Sequence, residues 1–246
     1  MKTQTSSLTG IAPPGAPSTD SPKSPDVPDY LQQVYWWAYL HPKGVRLFER
    51  EWLVNLILWG NFVRLRDAAL DQLAPHRNGH LLQIACVYGD FTQRLLARLS
   101  GDARLDVVDI ARIQLANLRR KLPTDARLRL HLQDSSALSF PAGTYDATLL
   151  FFLLHEQPAD VRRATLAEAW RVTRPGGRIV IVDYHRPDWH NPLRYLMFGV
   201  LKALEPFALD LWREEIASFL PANCRPSAIE RTTCFGGLYQ QVVITV

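Results

Sequence analysis

From His80 onward, short β-rich runs alternate with helical ones, and this alternation restricts the fold more than any other feature of the chain. HLLQIA is followed by FTQRLLARLSG, LDVVD by ARIQLANLRRKL, LRLHLQ by a loop, YDATLLFFLL by ADVRRATLAEAWRVT, and RIVIVDY by a long helical stretch ending near Leu220. Strands spaced by helices cannot pair through tight hairpins; they return by crossovers and build a parallel sheet covered on both faces. The expected fold is doubly wound α/β, with ligands beyond the carboxyl ends of the strands. The last runs differ: IERTTCF and LYQQVVITV flank Gly236-Gly237 and predict a terminal antiparallel hairpin.

Two other stretches precede this region. Residues 1–29 carry Pro13, Pro14, Pro17, Pro22, Pro25 and Pro28 among Ser, Thr and Gly, with few core-forming groups, and are expected to be a disordered tail. The tail has no apolar run for a signal peptide and no arginine for a transit peptide, so cytoplasmic residence is expected. Residues 30–79 read as a helical cap: YLQQVYWWAYL, a break at HPKG, then a helical run to Leu73. The cap is dense in tryptophan (Trp36, Trp37, Trp52 and Trp59), either as packing over the main domain or as the lining of an apolar substrate entrance. Residues 80–246 form the main domain. No run reaches the ~18 apolar residues of a spanning helix, since LVNLILWGNF and LMFGVLKAL are short and interrupted.

The net charge of +4 and pI near 9.1 come from dispersed Lys and Arg, with no nucleic-acid signature; anionic lipid suits this balance equally well. Cys86, Cys224 and Cys234 are odd in number and widely spaced, which fits a reducing compartment and small buried hydrophobes rather than a disulfide framework.

Candidate site residues stand at the strand ends. The first, QIACVYGDFT, runs straight into a helix whose first N–H groups can hold an anion, with Gly89 where the chain comes closest to a ligand. The second ends at Asp109, with Ile110 next to it, about twenty residues on, where a carboxylate accepts hydrogen bonds from ribose hydroxyls. The third ends in QDSSALSFP and sets Asp134 and Ser135 near an adenine. The fourth delivers Leu154, His155 and Glu156 to the rim. The RVTRPGGRIVIVDYHRP stretch reads as a helix, a Gly176-Gly177 turn and a fifth strand ending at Asp183, Tyr184 and His185.

In this order, the Asp109 ending, the Asp134 loop, YDAT, the LHEQP rim and RPGGRIVIVD resemble a class I S-adenosylmethionine-dependent methyltransferase over roughly residues 81–246. The resemblance implies a Rossmann-like, mostly parallel seven-stranded sheet. Where that family reads acid-x-Gly-x-Gly-x-Gly, this chain has Gln83, Ala85, Val87 and Gly89, so it departs at the methionine end of the cofactor. The YWWAYLHPKGVRLFEREWLVNLILWGNF cap followed by ACVYGDFT is similar to the rhodoquinone biosynthesis proteins, relatives of the quinone C-methyltransferases. That similarity implies conversion of ubiquinone to rhodoquinone, an amino group replacing a ring methoxy group. It also implies S-adenosylmethionine as amino donor and a divalent metal, manganese.

An attacking amine must be neutral. At ~4 Å and an effective dielectric near 20, a carboxylate at position 83 would favour the ammonium by roughly 4 kcal/mol, a penalty that Gln83 removes. Tyr88 orients the amine or the quinone oxygen, or else simply covers the cofactor; His155 is the further catalytic candidate. For a metal, DYHRPDWH offers Asp183, His185, Asp188 and His190 with His155 and Glu156 opposite, Asp183 and His185 being the ligands expected; the same loop also reads as a hydrogen-bonded rim. His41 reads as a capping or packing residue, and His76, His80 and His131 as structural. LRYLMFGVLKALEPFALDLW, flanked by Arg194 and Lys202, suits an interfacial helix, so peripheral contact with the inner membrane is expected, with a core helix as the competing reading. Two other functions remain open: conventional methyl transfer to a quinone or other lipid, and a non-catalytic place in a quinone-synthesis complex.

Overall fold

The structure, a computed structural model, describes residues 27–36 and 40–246. The expected tail, except for its last three residues, and Trp37 lie outside the described residues.

Five parallel strands follow the sequence pattern closely: β1 (His80–Ile84), β2 (Arg104–Asp109), β3 (Leu128–Leu132), β4 (Tyr145–Phe151) and β5 (Thr173–Tyr184). The C-terminal hairpin, β6 (Ala228–Cys234) and β7 (Tyr239–Thr245), completes a seven-stranded sheet of order β3-β2-β1-β4-β5-β7-β6. β7 runs antiparallel to both β5 and β6. Its turn needs left-handed backbone at Phe235, Gly236 and Gly237, which is why two glycines stand there. The order reverses between β1 and β4, and that is where a doubly wound sheet opens a crevice.

The sheet is buried on both sides, and β5 shows how. Val180 and Val182 enter one core with Phe62, Leu65 and Leu70; Ile179 and Ile181 enter the other with Leu166, Ala169 and Val172. This period of two makes one strand serve two layers. The first layer contains α4 (Phe62–Leu73), α5 (Phe91–Arg98) and α6 (Arg112–Lys121); α7 (Ala159–Val172) covers the opposite face.

Three sequence expectations change. The Gly176-Gly177 segment is not a turn before the strand but part of β5: Tyr145 pairs with Thr173 and Ala147 with Arg178, so the pairing absorbs residues 174–177 as a bulge. A Cβ on Gly177 would lie 2.8 Å from the Arg174 and Asp146 carbonyl oxygens, which explains that glycine. The helical run after HPKG is three helices, α2 (Pro42–Phe48), α3 (Glu51–Ile57) and α4, interrupted at extended Arg50 and at Trp59-Gly60, both with positive φ. The break expected at HPKG falls at extended His41, and α2 begins on the next residue: Pro42 takes the first position and the His41 ring accepts from the Lys43 amide at 3.2 Å, so of its two expected roles His41 takes the cap. The long helix to Leu220 is α8 (Leu193–Leu204) and two 3₁₀ turns.

α4 packs into the sheet's own layer, whereas α1 (Asp29–Gln33), α2 and α3 lie over the carboxyl ends of the strands.

Candidate active site

A cavity of about 190 Å³ opens at the switch point between β1 and β4, walled by the ends of β1, β2 and β4, the loop after β3, and the cap. Each strand carries its last residues to this point, so the sheet itself sets their spacing.

The β1 turn is held by Gln83. Its side chain is wholly buried, donates to the Ala85 carbonyl at 2.9 Å and accepts from the Thr92 hydroxyl at 3.0 Å. Ala85 has φ of 72°, a left-handed conformation that costs a residue with a Cβ about 1 kcal/mol or more, and the Gln83 amide pins it there. Gln83 is therefore a strut inside the fold and does not line the cavity, where it was expected to meet the cofactor's amine. Ala85, Val87 and Tyr88 do line it. Tyr88 stacks on Phe48 of α2 with centroids 6.0 Å apart and accepts from Gln114 at 2.7 Å, its phenol pushed well up by burial. Gly89 turns away from the cavity: its N–H donates to Glu49 of the cap at 3.2 Å, and a Cβ would press on Phe62 at 3.3 Å.

Asp109 lines the cavity with Ile110 and accepts from the Cys86 and Ala111 amides, each at 2.8 Å. Burial raises its carboxyl above the ordinary range against those two donors. The Cys86 thiol bonds the same carboxylate, which leaves one of its four lone-pair positions for a ligand hydroxyl. Beyond β3, Asp134 and Ser135 also line the cavity; Asp134 accepts from the Ser136 amide and hydroxyl, while the Ser135 hydroxyl pairs with Thr165 and Gln157.

On the other side of β1, Asp183 is fully buried at the end of β5. It accepts from the Leu154, His155 and Tyr184 amides and lies 2.8 Å from His155 Nδ1. With Nδ1 donating to Asp183, the other ring nitrogen stands 3.8 Å from Glu156 Oε1 and 3.9 Å from Glu205 Oε2. Burial would lower this imidazole, but Asp183 foremost, then Glu205 and Glu156, raise it to about 9, so it is an imidazolium at neutral pH. Arg162 of α7, fully buried, secures this rim by donating to the Leu154, Gln157 and Phe207 carbonyls.

The metal expectation fails on geometry. Asp183 is committed to His155 and three amides, while His185 bonds through Nδ1 to the Gly237 carbonyl at 2.8 Å. Among the described residues no group of three or more His, Cys, Asp or Glu is placed to hold a metal ion, Asp188 and His190 included. Manganese does not fit this donor set. S-Adenosylmethionine does fit at the adenosine end, where two carboxylates on adjacent strand ends face one cavity.

The sequence reading missed Tyr30, Leu31, Tyr35, Phe48, Gln133 and Glu205, which also line the cavity. The tryptophans singled out as an entrance do not: Trp36, Trp52 and Trp59 are 51, 60 and 41% exposed. The usable signal was the smaller aromatics on inward helix positions. His80 and His131 are structural as expected, both bonded to Asp106.

The arrangement resembles that of the class I S-adenosylmethionine-dependent methyltransferases, and residues 81–177 match the family model described as a methyltransferase domain. The human N-acetylserotonin methyltransferase, solved with S-adenosylmethionine, superposes with a TM-score of 0.57 at 13% identity, over 88% of this chain and 61% of that one. Among curated proteins, the chain is similar to quinone C-methyltransferases. It is 32% identical over 168 residues to the ubiquinone/menaquinone biosynthesis C-methyltransferase UbiE of Dinoroseobacter shibae (65% of this chain, 61% of the relative). It is 34% identical over 175 residues to the demethylmenaquinone methyltransferase of Beutenbergia cavernae (70% and 65%). The chain spans about three fifths of the length of the first of these.

Proposed function

We propose that the protein transfers a group from S-adenosylmethionine to the ring of a lipid quinone, and that the group is the amino nitrogen, which replaces a ring methoxy group and converts ubiquinone to rhodoquinone. The observation that carries this reading is the Asp183–His155 pair, whose outer nitrogen is held charged between Glu156 and Glu205 at the cavity wall. Replacement of methoxy needs a proton for the departing oxygen, and an imidazolium supplies it. His155 thus acts as the acid. Glu205, whose carboxyl burial raises, stands beside it to take the proton that the incoming nitrogen releases. When bound, S-adenosylmethionine would supply the nitrogen; the ring carbon–nitrogen bond forms as methanol leaves, and the nitrogen's bond to the methionine α-carbon must break as well, which balances if the quinone ring accepts two electrons from that C–N unit and water adds to the resulting imine carbon. Asp109 and Asp134 hold its adenosine side, while Val87, Tyr88 and the stacked Phe48 fill the side of the turn where the methionine moiety of a methyltransferase would lie.

The competing reading, methyl transfer to a ring carbon, has its own support in the similarity to UbiE. Labelled cofactor separates the two. With ubiquinone and S-adenosylmethionine labelled on the α-nitrogen or on the methyl carbon, with and without manganese, the expected product is an aminoquinone carrying nitrogen label. Methyl label on the ring or on a ring oxygen would falsify the amino reading and leave a quinone methyltransferase.

A further inference from the structure

Helix α8 is apolar on nearly every side, yet only one stripe of it is buried. Among its 12 residues Met197 and Leu201 face the core. Outward stand Tyr195, Leu196, Phe198, Val200 and Leu204, exposed by 77, 51, 47, 37 and 53%. A surface helix ordinarily turns polar residues outward, and one that is apolar all round calls for an apolar partner on its open face. Cap helix α3 has the same character, with Trp52 at 60%, Leu56 at 65% and Ile57 at 43% exposure. The two meet: Trp59, just after α3, points its indole N–H at Met197 Sδ, 3.4 Å away. Together they make one exposed apolar face.

We propose that this face docks on an anionic bilayer, the helices lying in the headgroup plane, and that it sets the cavity against the membrane. The occupant follows from three observations. The face is continuous with the cavity, because Val54, Ile57 and Leu58 of α3 and its end line the cavity wall, as does Glu205 directly after α8. The charges suit anionic headgroups: α8 carries Arg194 and Lys202 and no acid, α2 carries Lys43 and Arg46, and exposed Arg50 precedes α3. Length decides the orientation. Twelve residues span about 18 Å, short of the ~30 Å hydrocarbon core, and among the described residues no helix is long and apolar enough to cross a membrane. A helix of this length and character lies in the interface, where tryptophan and tyrosine are favoured. This placement rests on the lipid-quinone reading for its purpose, since a quinone could then reach the cavity without crossing water.

The test is sedimentation of the full chain with vesicles of phosphatidylcholine plus phosphatidylglycerol, alongside vesicles of phosphatidylcholine alone. Binding to the mixed vesicles is expected. The triple variant Leu56→Ser, Leu196→Ser, Phe198→Ser, at exposed positions that do not line the cavity, should bind roughly tenfold more weakly with unchanged net charge. Its circular dichroism and its turnover of a short-chain, water-soluble quinone should stay at wild-type levels. Absence of vesicle binding by the wild type, or equal binding by the variant, overturns the proposal. So does a wild-type dimer in ultracentrifugation that the variant dissociates, because the face would then belong to a second copy. If neither protein turns over the soluble quinone, the functional reading fails instead, while the vesicle result still decides the surface.

Discussion

Gln83 links the Ala85 carbonyl to the Thr92 hydroxyl, and only an amide can donate to one and accept from the other. A carboxylate in its place would face the carbonyl with like polarity. Gln83→Glu is therefore expected to cost about 2–4 kcal/mol of stability at neutral pH, from a buried charge and a lost donor. Because burial raises the folded-state pKa of such a group, the loss should shrink as pH falls toward 5; denaturant titration at both pH values checks it. An unchanged midpoint would return Gln83 to the ligand side of the turn. Asp109 shows the opposite case, legible in the sequence and placed on the cavity wall, yet also tied to the Cys86 and Ala111 amides. Replacement by Ala would confound cofactor and turn. Asp109→Asn keeps an acceptor for an amide and should weaken S-adenosylmethionine binding by roughly 1.5–3 kcal/mol in calorimetry, with thermal stability affected less.

At the scale of elements, strands were readable because β-branched and leucine runs of five to seven residues end in turn residues, and all seven expected strands are present. The cap was not readable in detail. Its apolar residues face the cavity, the sheet and the exterior at once, so no single helical period marks Arg50 or Trp59 as an interruption. What joins cap to turn is Glu49, just after α2, which accepts from the Gly89 amide, Asn117 and Lys121, two of them on α6. No local pattern announces a contact between residues seventy positions apart. Glu49→Ala should cost about 1–2 kcal/mol, an ion pair four-fifths removed from water being worth somewhat more than a surface one. Hydrogen exchange should quicken across residues 40–60 and leave β1, β4 and β5 protected. Uniform acceleration through the sheet would show that Glu49 supports the whole fold rather than the cap.

Across the whole molecule, each end of the sheet carries a buried carboxylate cluster, and the group shifted at one end moves in the opposite direction from the group shifted at the other. At the amino end of the strands, Asp106 lies 2.7 Å from His80, 2.9 Å from His131 and 2.9 Å from the Tyr145 hydroxyl. Burial alone would raise its carboxyl, but these three donors hold it well below the carboxylate range. A depressed folded pKa gives stability that is present above the unfolded value near 3.9 and is lost as pH falls below it. At the carboxyl end, His155 is raised to about 9, against burial, by Asp183 and its acidic neighbours. A raised folded pKa gives stability that is full below the unfolded value near 6.5 and is lost as pH climbs through about 9. Stability should therefore form a plateau between roughly pH 4 and 6.5, falling on both sides for unrelated reasons. The two limbs are separable by mutation. The deficit of Asp106→Asn, on the order of 2–3 kcal/mol at pH 6, should shrink steadily as pH falls below about 4 toward the depressed folded pKa and leave the alkaline limb as it was. Asp183→Asn should instead weaken the decline between pH 6.5 and 9, because Asp183 is the foremost of the groups that raise the His155 imidazole, with Glu205 and Glu156 holding the smaller share. The same substitution should move the alkaline limb of the quinone pH–rate profile to lower pH, since His155 would then lose its acid form sooner. An undiminished decline in Asp183→Asn, in both stability and rate, would mean that some other group titrates there and that His155 is not the acid.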